Sequence, residues 1–280
     1  MISLQDKVII ITGASSGIGA ATAVEGAKAG MNIVITARRA DKLKAVANMI
    51  EQHDRQAAIV VGDVTDANMS ERLLDEALAK FGRFDAVFAN AGYGLERPMT
   101  KTGLDRVREM FEVNLFSGLE LLQSAAAQWL DSQQSGHLLM CSSCLSKFTL
   151  PYHGLYSATK AAQNQICRSM RIELEPHGIH VSSVHPITTT TEFFDASRQR
   201  SGVGEHHAPS SDHAPRLFVQ SPQRVARAII KCLRKPVAEV WTSHTVRIVA
   251  ALMTMSPRFA DFIFRRIERD RREAMRELKD

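Results

Sequence analysis

Short apolar runs alternate with longer amphipathic stretches along most of the chain. KVIIIT (7–12), NIVITA (32–37), QAAIVV (56–61), FDAVFA (84–89), HLLMCS (137–142) and HVSSV (180–184) are short and rich in Val and Ile. Near-continuous apolar runs of this length are the pattern of strands buried on both faces of a parallel sheet. Segments of helical length separate them, over 17–29, 40–52, 66–80, 103–130 and 154–175. Strand–helix alternation predicts an α/β fold: a doubly wound parallel sheet with helices on both faces. WTS (241–243), after a short helix starting near Pro222, supplies a seventh strand at the edge.

Two segments break the pattern. Residues 192–220 carry Gly, Pro, Ser and three histidines (His206, His207, His213) with little periodicity, and so read as a long loop. A loop of that length in a compact domain is a functional lid or is disordered, and here it is expected to border the substrate. In 244–280, Phe259, Phe262, Ile263 and Ile267 recur at helical spacing before a mixed-charge tail, RRIERDRREAMRELKD, predicting one or two extra helices. With no internal repeat and no clear linker, the expectation is one domain over 1–243 and a C-terminal helical extension over 244–280. The extension suits a dimer contact, a cover for the substrate pocket, or an interfacial membrane helix through VRIVAALMTM and the following arginines. Packing against the protein is the commoner fate of such a stripe.

Composition narrows the classes. A chain of 280 residues with 45% apolar residues can bury one large core. The net charge of +5 is spread among mixed charges, which gives no basic cluster for nucleic acid. No stretch approaches the roughly 20 apolar residues needed to span a bilayer. Four cysteines make no disulfide framework, and MISLQDKVIIITGASSG has no secretory cleavage pattern, so a cytoplasmic setting is expected. The loop histidines fit no zinc spacing and have no cysteine nearby, so no metal is expected.

The candidate chemistry begins where the first strand meets Thr12-Gly13-Ala14-Ser15-Ser16-Gly17-Ile18-Gly19 and a small-residue helix. Glycines allow a tight turn and close backbone approach to phosphate, while a helix N-terminus offers free N–H groups. The spacing is G-x-x-x-G-x-G rather than the G-x-G-x-x-G of other dinucleotide folds. The second strand ends in Ala37-Arg38-Arg39 with no acid before Asp41. NAD sites place an acid there for the ribose hydroxyl and NADP sites an arginine for the 2′-phosphate, so NADP(H) is favoured over NAD(H). Asp63-Val64 and Asn90-Ala91-Gly92 follow the third and fourth strands, at the carboxyl edge where ligands bind. Each also reads as an ordinary turn.

Tyr156 and Lys160, at i and i+4, share one helix face. A tyrosine titrates near 10, and a neighbouring ammonium favours the phenolate, which makes the pair a usable general acid–base. Ser143 lies between the cysteines of CSSC (141–144), just after the fifth strand, and can hydrogen-bond a carbonyl oxygen. A dithiol would want its first cysteine at a helix N-terminus, whereas the next helix starts about ten residues on. Cys141 and Cys144 are therefore read as small apolar fillers flanking the serine. Alternation along the strand sends Cys141 and Ser143 to one side and Ser142 to the other.

In order and spacing, TGASSGIG (12–19), Asp63, NAG (90–92), Asn114, Ser143 and YSATK (156–160) resemble the short-chain dehydrogenase/reductase family over about residues 5–190. The resemblance implies a Rossmann-type fold and hydride transfer between a nicotinamide and a carbonyl or alcohol of a small molecule. It implies Tyr156 as proton donor or acceptor and Ser143 as the group that orients the substrate oxygen. Lys160 would bind the nicotinamide ribose and lower the tyrosine pKa, and Asn114 would hold a relay water. Asp63 and Val64 would sit by the adenine and Asn90 by the adenosine ribose. The set of cofactor residues would be Gly13, Ser15, Ser16, Gly17, Ile18, Gly19, Arg38, Arg39, Asp63, Val64, Asn90, Ala91, Gly92, Tyr156, Lys160, Pro186, Thr188 and Thr191. The chain departs from the family at Pro186-Ile187, where Pro-Gly is common, and in the extension, which bears on whether the assembly is a homodimer or a homotetramer. Two other readings fit the same residues: a membrane-peripheral lipid or steroid reductase, and a catalytically silent NADP-binding regulator.

Overall fold

The structure, a computed structural model, describes residues 1–189 and 219–277, with side chains through residue 269. Six βα units build the main sheet: β1 (Val8–Thr12), α1 (Gly17–Lys28), β2 (Asn32–Ala37), α2 (Ala40–Glu51), β3 (Ala57–Val61), α3 (Met69–Phe81), β4 (Ala86–Ala89), α4 (Leu104–Phe111), α5 (Ser117–Asp131), β5 (Gly136–Cys141), α6 (Gly154–Leu174) and β6 (Ile179–His185). Then follow β7 (Thr188–Thr189), β8 (Val219–Gln220), α7 (Pro222–Arg234), β9 (Glu239–Trp241), α8 (His244–Met255) and α9 (Pro257–Glu277). The seven-stranded sheet runs β3-β2-β1-β4-β5-β6-β9 and is parallel throughout. This is the Rossmann-type sheet expected from the apolar runs, and each run lies within three residues of its strand.

Alternation divides the strands between two apolar layers. Ile9, Ile11, Ile33 and Ile35 face α1, α2 and α7, whereas Val8, Ile10, Val34 and Val87 face α3, α5 and α6. Gly26 lets α1 approach closely, because a Cβ there would stand 3.0 Å from Ile33 Cδ1 and 4.0 Å from Ile230 Cδ1. At the amino edge, Asp85 ties the sheet together: its carboxylate accepts from Lys7 Nζ at 2.9 Å, the Val8 N–H at 2.9 Å and Arg83 Nε at 2.9 Å.

Three local departures bear on the site. The segment 66–80, expected as one helix, starts at Met69 because residues 63–66 close a turn, with the Asp66 N–H donating to the Asp63 carbonyl at 3.0 Å and the Asp63 N–H to Asp66 Oδ2 at 2.9 Å. The segment 103–130 is not one helix: a π-helical turn over Glu112–Phe116 separates α4 from α5. Finally, β7 and β8 form a small parallel pair apart from the main sheet, joining the two ends of the segment 190–218.

Candidate functional site

The crossover in strand order falls between β1 and β4, and there the glycine turn meets the NAG segment. Thr12 Oγ1 accepts from the Asn90 N–H at 2.9 Å and the Ala91 N–H at 3.0 Å. The Asn90 side-chain amide donates back to the carbonyls of Thr12 at 3.0 Å and Gly13 at 3.3 Å. Gly13 has φ +64° and a Cβ there would lie 2.9 Å from Ala91 Cα, so both conformation and space require glycine. A Cβ on Gly19 would collide with the Gly13 carbonyl. The turn through Ser15, Ser16, Gly17 and Ile18 thus lies close over the first turn of α1, where no side-chain cap bond occupies the N-terminus. Those N–H groups and the helix dipole suit a pyrophosphate.

Both arginines after β2 reach this turn's surroundings. Arg39 Nη2 donates to Ser15 Oγ at 3.0 Å and Ser16 Oγ at 3.1 Å. Arg38 Nη1 pairs with Asp63 Oδ2 at 3.5 Å, and Asp63 Oδ1 also accepts from the Thr65 N–H at 3.2 Å. Val64 is half-buried beside them. Ser15, Ser16, Arg38, Arg39 and Asp63 come from three separate βα connections and converge on one edge.

Deeper along that edge, β5, α6 and the π-helical turn place four polar side chains together. Asn114 is buried; its Oδ1 accepts from the Tyr93 N–H at 2.9 Å, and its Nδ2 donates to the Tyr93 carbonyl at 3.0 Å and Thr159 Oγ1 at 3.2 Å. Gln163 Nε2 donates to the Asn114 carbonyl. These partners answer the question a lone mid-helix asparagine raises, for it is neither exposed nor bonded locally. Lys160 is buried, with Nζ donating to the Cys141 carbonyl at 2.7 Å and lying 5.5 Å from the Tyr156 ring centroid. Ser142 Oγ donates to the Lys160 carbonyl at 2.9 Å, locking β5 to α6. A Cβ on Gly92 would stand 3.1 Å from Asn114 Oδ1 and 3.6 Å from Lys160 Nζ, so the NAG glycine admits these two groups.

Burial governs the electrostatics. It lowers the Lys160 ammonium to about 8. It also raises the Tyr156 phenol well above its ordinary range, against the hydrogen bond with Ser143. Ser143 Oγ, beside Tyr156, accepts from the Leu145 N–H at 3.1 Å. Ser142 and Ser143 point to different partners, as strand alternation requires. The four cysteines are free, and burial raises the Cys141 thiol and takes Cys144 to about 11, so neither is a thiolate near neutrality. Among the described residues no group of three His, Cys, Asp or Glu side chains is placed to hold a metal.

After β6, the Pro186 carbonyl accepts from the Cys144 N–H at 3.1 Å, and Thr189 Oγ1 donates to the Ile187 carbonyl at 2.8 Å. Ile187 is buried and has no positive φ, so the backbone there does not require glycine. Thr188 is half-buried at the start of β7. Thr191, most of the 192–220 loop, and His206, His207 and His213 lie outside the described residues. The extension packs on the connection between Ser143 and Tyr156. Phe264 stacks on Phe148 at 6.2 Å, the Thr254 hydroxyl donates to the Lys147 carbonyl at 2.9 Å, and the Tyr152 hydroxyl donates to Glu268 Oε1 at 2.7 Å. Sequence reasoning missed Gln163 and His185 at this edge. The signal for His185 was a lone polar ring ending an apolar strand.

Comparison with known proteins agrees with this geometry. The family model described as short chain dehydrogenase matches residues 7–202. An uncharacterized oxidoreductase of Listeria innocua is 32% identical over 195 residues, covering 69% of this chain and 78% of that protein. A short chain dehydrogenase/reductase from Burkholderia phymatum, solved in complex with NAD, has TM-score 0.81 at 22% identity, covering 93% of this chain and 97% of that one. An alcohol dehydrogenase from the archaeon Thermococcus sibiricus, complexed with 5-hydroxy-NADP, has TM-score 0.70 at 28% identity, covering 84% of this chain and 95% of that one.

Proposed function

This chain belongs to the short-chain dehydrogenase/reductase family and is an NAD(P)-dependent oxidoreductase, and we propose that it uses NADP(H) to reduce a ketone or aldehyde of a small molecule. The observation that carries the reading is the grouping of buried Ser143 and Lys160 with half-buried Tyr156 on the same carboxyl edge as the glycine turn. A bound nicotinamide supplies the hydride. The chain's own residues bind, orient and move a proton. Ser143 Oγ holds the substrate carbonyl oxygen, and the Tyr156 phenol donates its proton to that oxygen as negative charge develops. A phenol is protonated near neutrality, as the proton donor of a reduction must be, and burial raises it further. Lys160 places an ammonium beside the phenol and the expected ribose position, and Asn114 fixes the Tyr93 segment against α6.

NADP(H) is favoured because Arg39 already points at the two turn serines and Arg38 stands nearby with Asp63 as partner. A 2′-phosphate gives these guanidiniums a bidentate acceptor. The 192–220 segment is proposed to border the substrate, with Pro186, Thr188 and Thr191 near the nicotinamide. The test is NADPH oxidation against a panel of ketones, aldehydes, acyl thioesters and steroids, with wild type and Tyr156→Phe. Turnover on one class that Tyr156→Phe lowers by roughly two orders of magnitude or more supports the assignment. Full activity in Tyr156→Phe overturns it.

A further inference from the structure

The last residue of β6, His185, has no exposed surface and lies outside the Ser143–Tyr156–Lys160 group. Its ring stacks on Trp241 with centroids 4.6 Å apart and planes 7° from parallel. Nδ1 lies 3.0 Å from the Ser143 carbonyl oxygen and 3.1 Å from Ser146 Oγ, while Nε2 lies 2.8 Å from Ser183 Oγ. A carbonyl only accepts, so the Nδ1 position carries the hydrogen and donates to Ser143. Burial lowers the ring to about 4, leaving a neutral imidazole whose Nε2 accepts from the Ser183 hydroxyl. The tautomer follows from these partners.

The surroundings fix the ring firmly. Trp241 Nε1 donates to Glu239 Oε2 at 2.8 Å, and Glu239 pairs with Lys147 at 2.6 Å across the far side of the same loop. Lys147 also donates to Asn164 Oδ1 at 3.3 Å. The Cys144 N–H donates to the Pro186 carbonyl at 3.1 Å, so both polar groups of the Ser143–Cys144 peptide are tied to the end of β6 and the residue after it.

We propose that His185 is a positioning residue: its Nδ1–H holds the Ser143 backbone, and so sets where the Ser143 hydroxyl meets the substrate oxygen. The inference rests on the proposed role of Ser143. His185→Phe keeps the stack on Trp241 and removes the donor, whereas the side-chain amide of His185→Asn places a nitrogen donor near the Nδ1 position. His185→Phe is expected to lose roughly tenfold to a hundredfold in kcat, with NADPH affinity within about twofold of wild type, and His185→Asn to recover most of the loss. In the wild-type protein, nitrogen NMR is expected to show a neutral ring protonated at Nδ1, a measurement that does not depend on any variant folding. An Nε2–H ring, unchanged kcat in His185→Phe, or equal losses in both variants overturns the inference. Ser143→Ala separates the two levels: full activity there overturns the role of Ser143 itself. A loss in Ser143→Ala with none in His185→Phe removes only the part assigned to His185.

Discussion

Replacing Arg39 with alanine isolates the cofactor argument. In the structure its guanidinium bonds two hydroxyls, Ser15 Oγ at 3.0 Å and Ser16 Oγ at 3.1 Å. A phosphate in the same place offers a charged acceptor in their stead, and charge-assisted bonds contribute about 1.5–3 kcal/mol when shielded. Arg39 is exposed, so screening cuts this to about 1–1.5 kcal/mol, or roughly 5–15-fold in affinity. Arg38, pairing with Asp63 at 3.5 Å with 64% of its side chain exposed, should contribute less. The assay is kcat/KM for NADPH and for NADH with one substrate, in wild type, Arg39→Ala and Arg38→Ala. Arg39→Ala should lower the NADPH value roughly 5–15-fold, leave NADH within about twofold, and weaken the salt dependence of NADPH use. Equal losses with both cofactors, or none with either, refute the reasoning that the guanidinium meets a phosphate.

Three other outcomes follow from contacts elsewhere. Burial pushes the Asp85 carboxyl up, but its bonds from Arg83, Lys7 and the Val8 N–H prevail and hold it below its ordinary value. A depressed folded-state pKa adds stability above the unfolded value near 3.9 that is lost as pH falls through the folded value. Asp85→Asn should therefore cost about 1–3 kcal/mol in urea unfolding at pH 7, with the gap to wild type closing toward pH 3; a constant gap sinks the argument. Gly92→Ala puts a Cβ 3.1 Å from Asn114 Oδ1, and displacement of that amide should cost about 1–3 kcal/mol of stability and lower kcat, with unchanged melting and turnover as the contrary result. Tyr152, with φ +68°, is held by Glu268 from the extension, four residues before Tyr156. Glu268→Gln keeps an acceptor and should leave kcat/KM within about threefold, whereas Tyr152→Phe should raise KM more than it lowers kcat; no change in either parameter would separate α9 from the site.

Much of the architecture was legible because a two-faced buried strand must be apolar along its whole length, and KVIIIT and NIVITA are. The misses have physical causes. Apolar periodicity runs through Phe111, Val113, Leu115 and Phe116, so the π-helical turn leaves no mark in the pattern. The turn is set instead by Asn114 reaching Tyr93 and Thr159, which are 21 and 45 residues away. The β7–β8 pair is two residues long on each side and too short for any period to register. The contacts of His185 were hidden for another reason: its partners, at Ser143 and Trp241, are brought together only by the β5-β6-β9 pairing.

The Tyr156–Lys160 pair shows where spacing stops being informative. Four residues on a helix place the two side chains on one face, and the distance of 5.5 Å from the ammonium to the ring centroid agrees. Proximity alone argues for an acidified phenol. The direction of the shift, however, also depends on how much water each group keeps: Lys160 is buried and Tyr156 half-buried near the end of β5. There the ammonium is itself destabilised and its nearest acceptor is the Cys141 carbonyl at 2.7 Å, which draws its charge toward the strand. A phenol left in an apolar cluster with Leu155, Tyr93 and Met110 holds its proton. Desolvation therefore works against the simple spacing argument, and the phenol keeps its proton in the resting site.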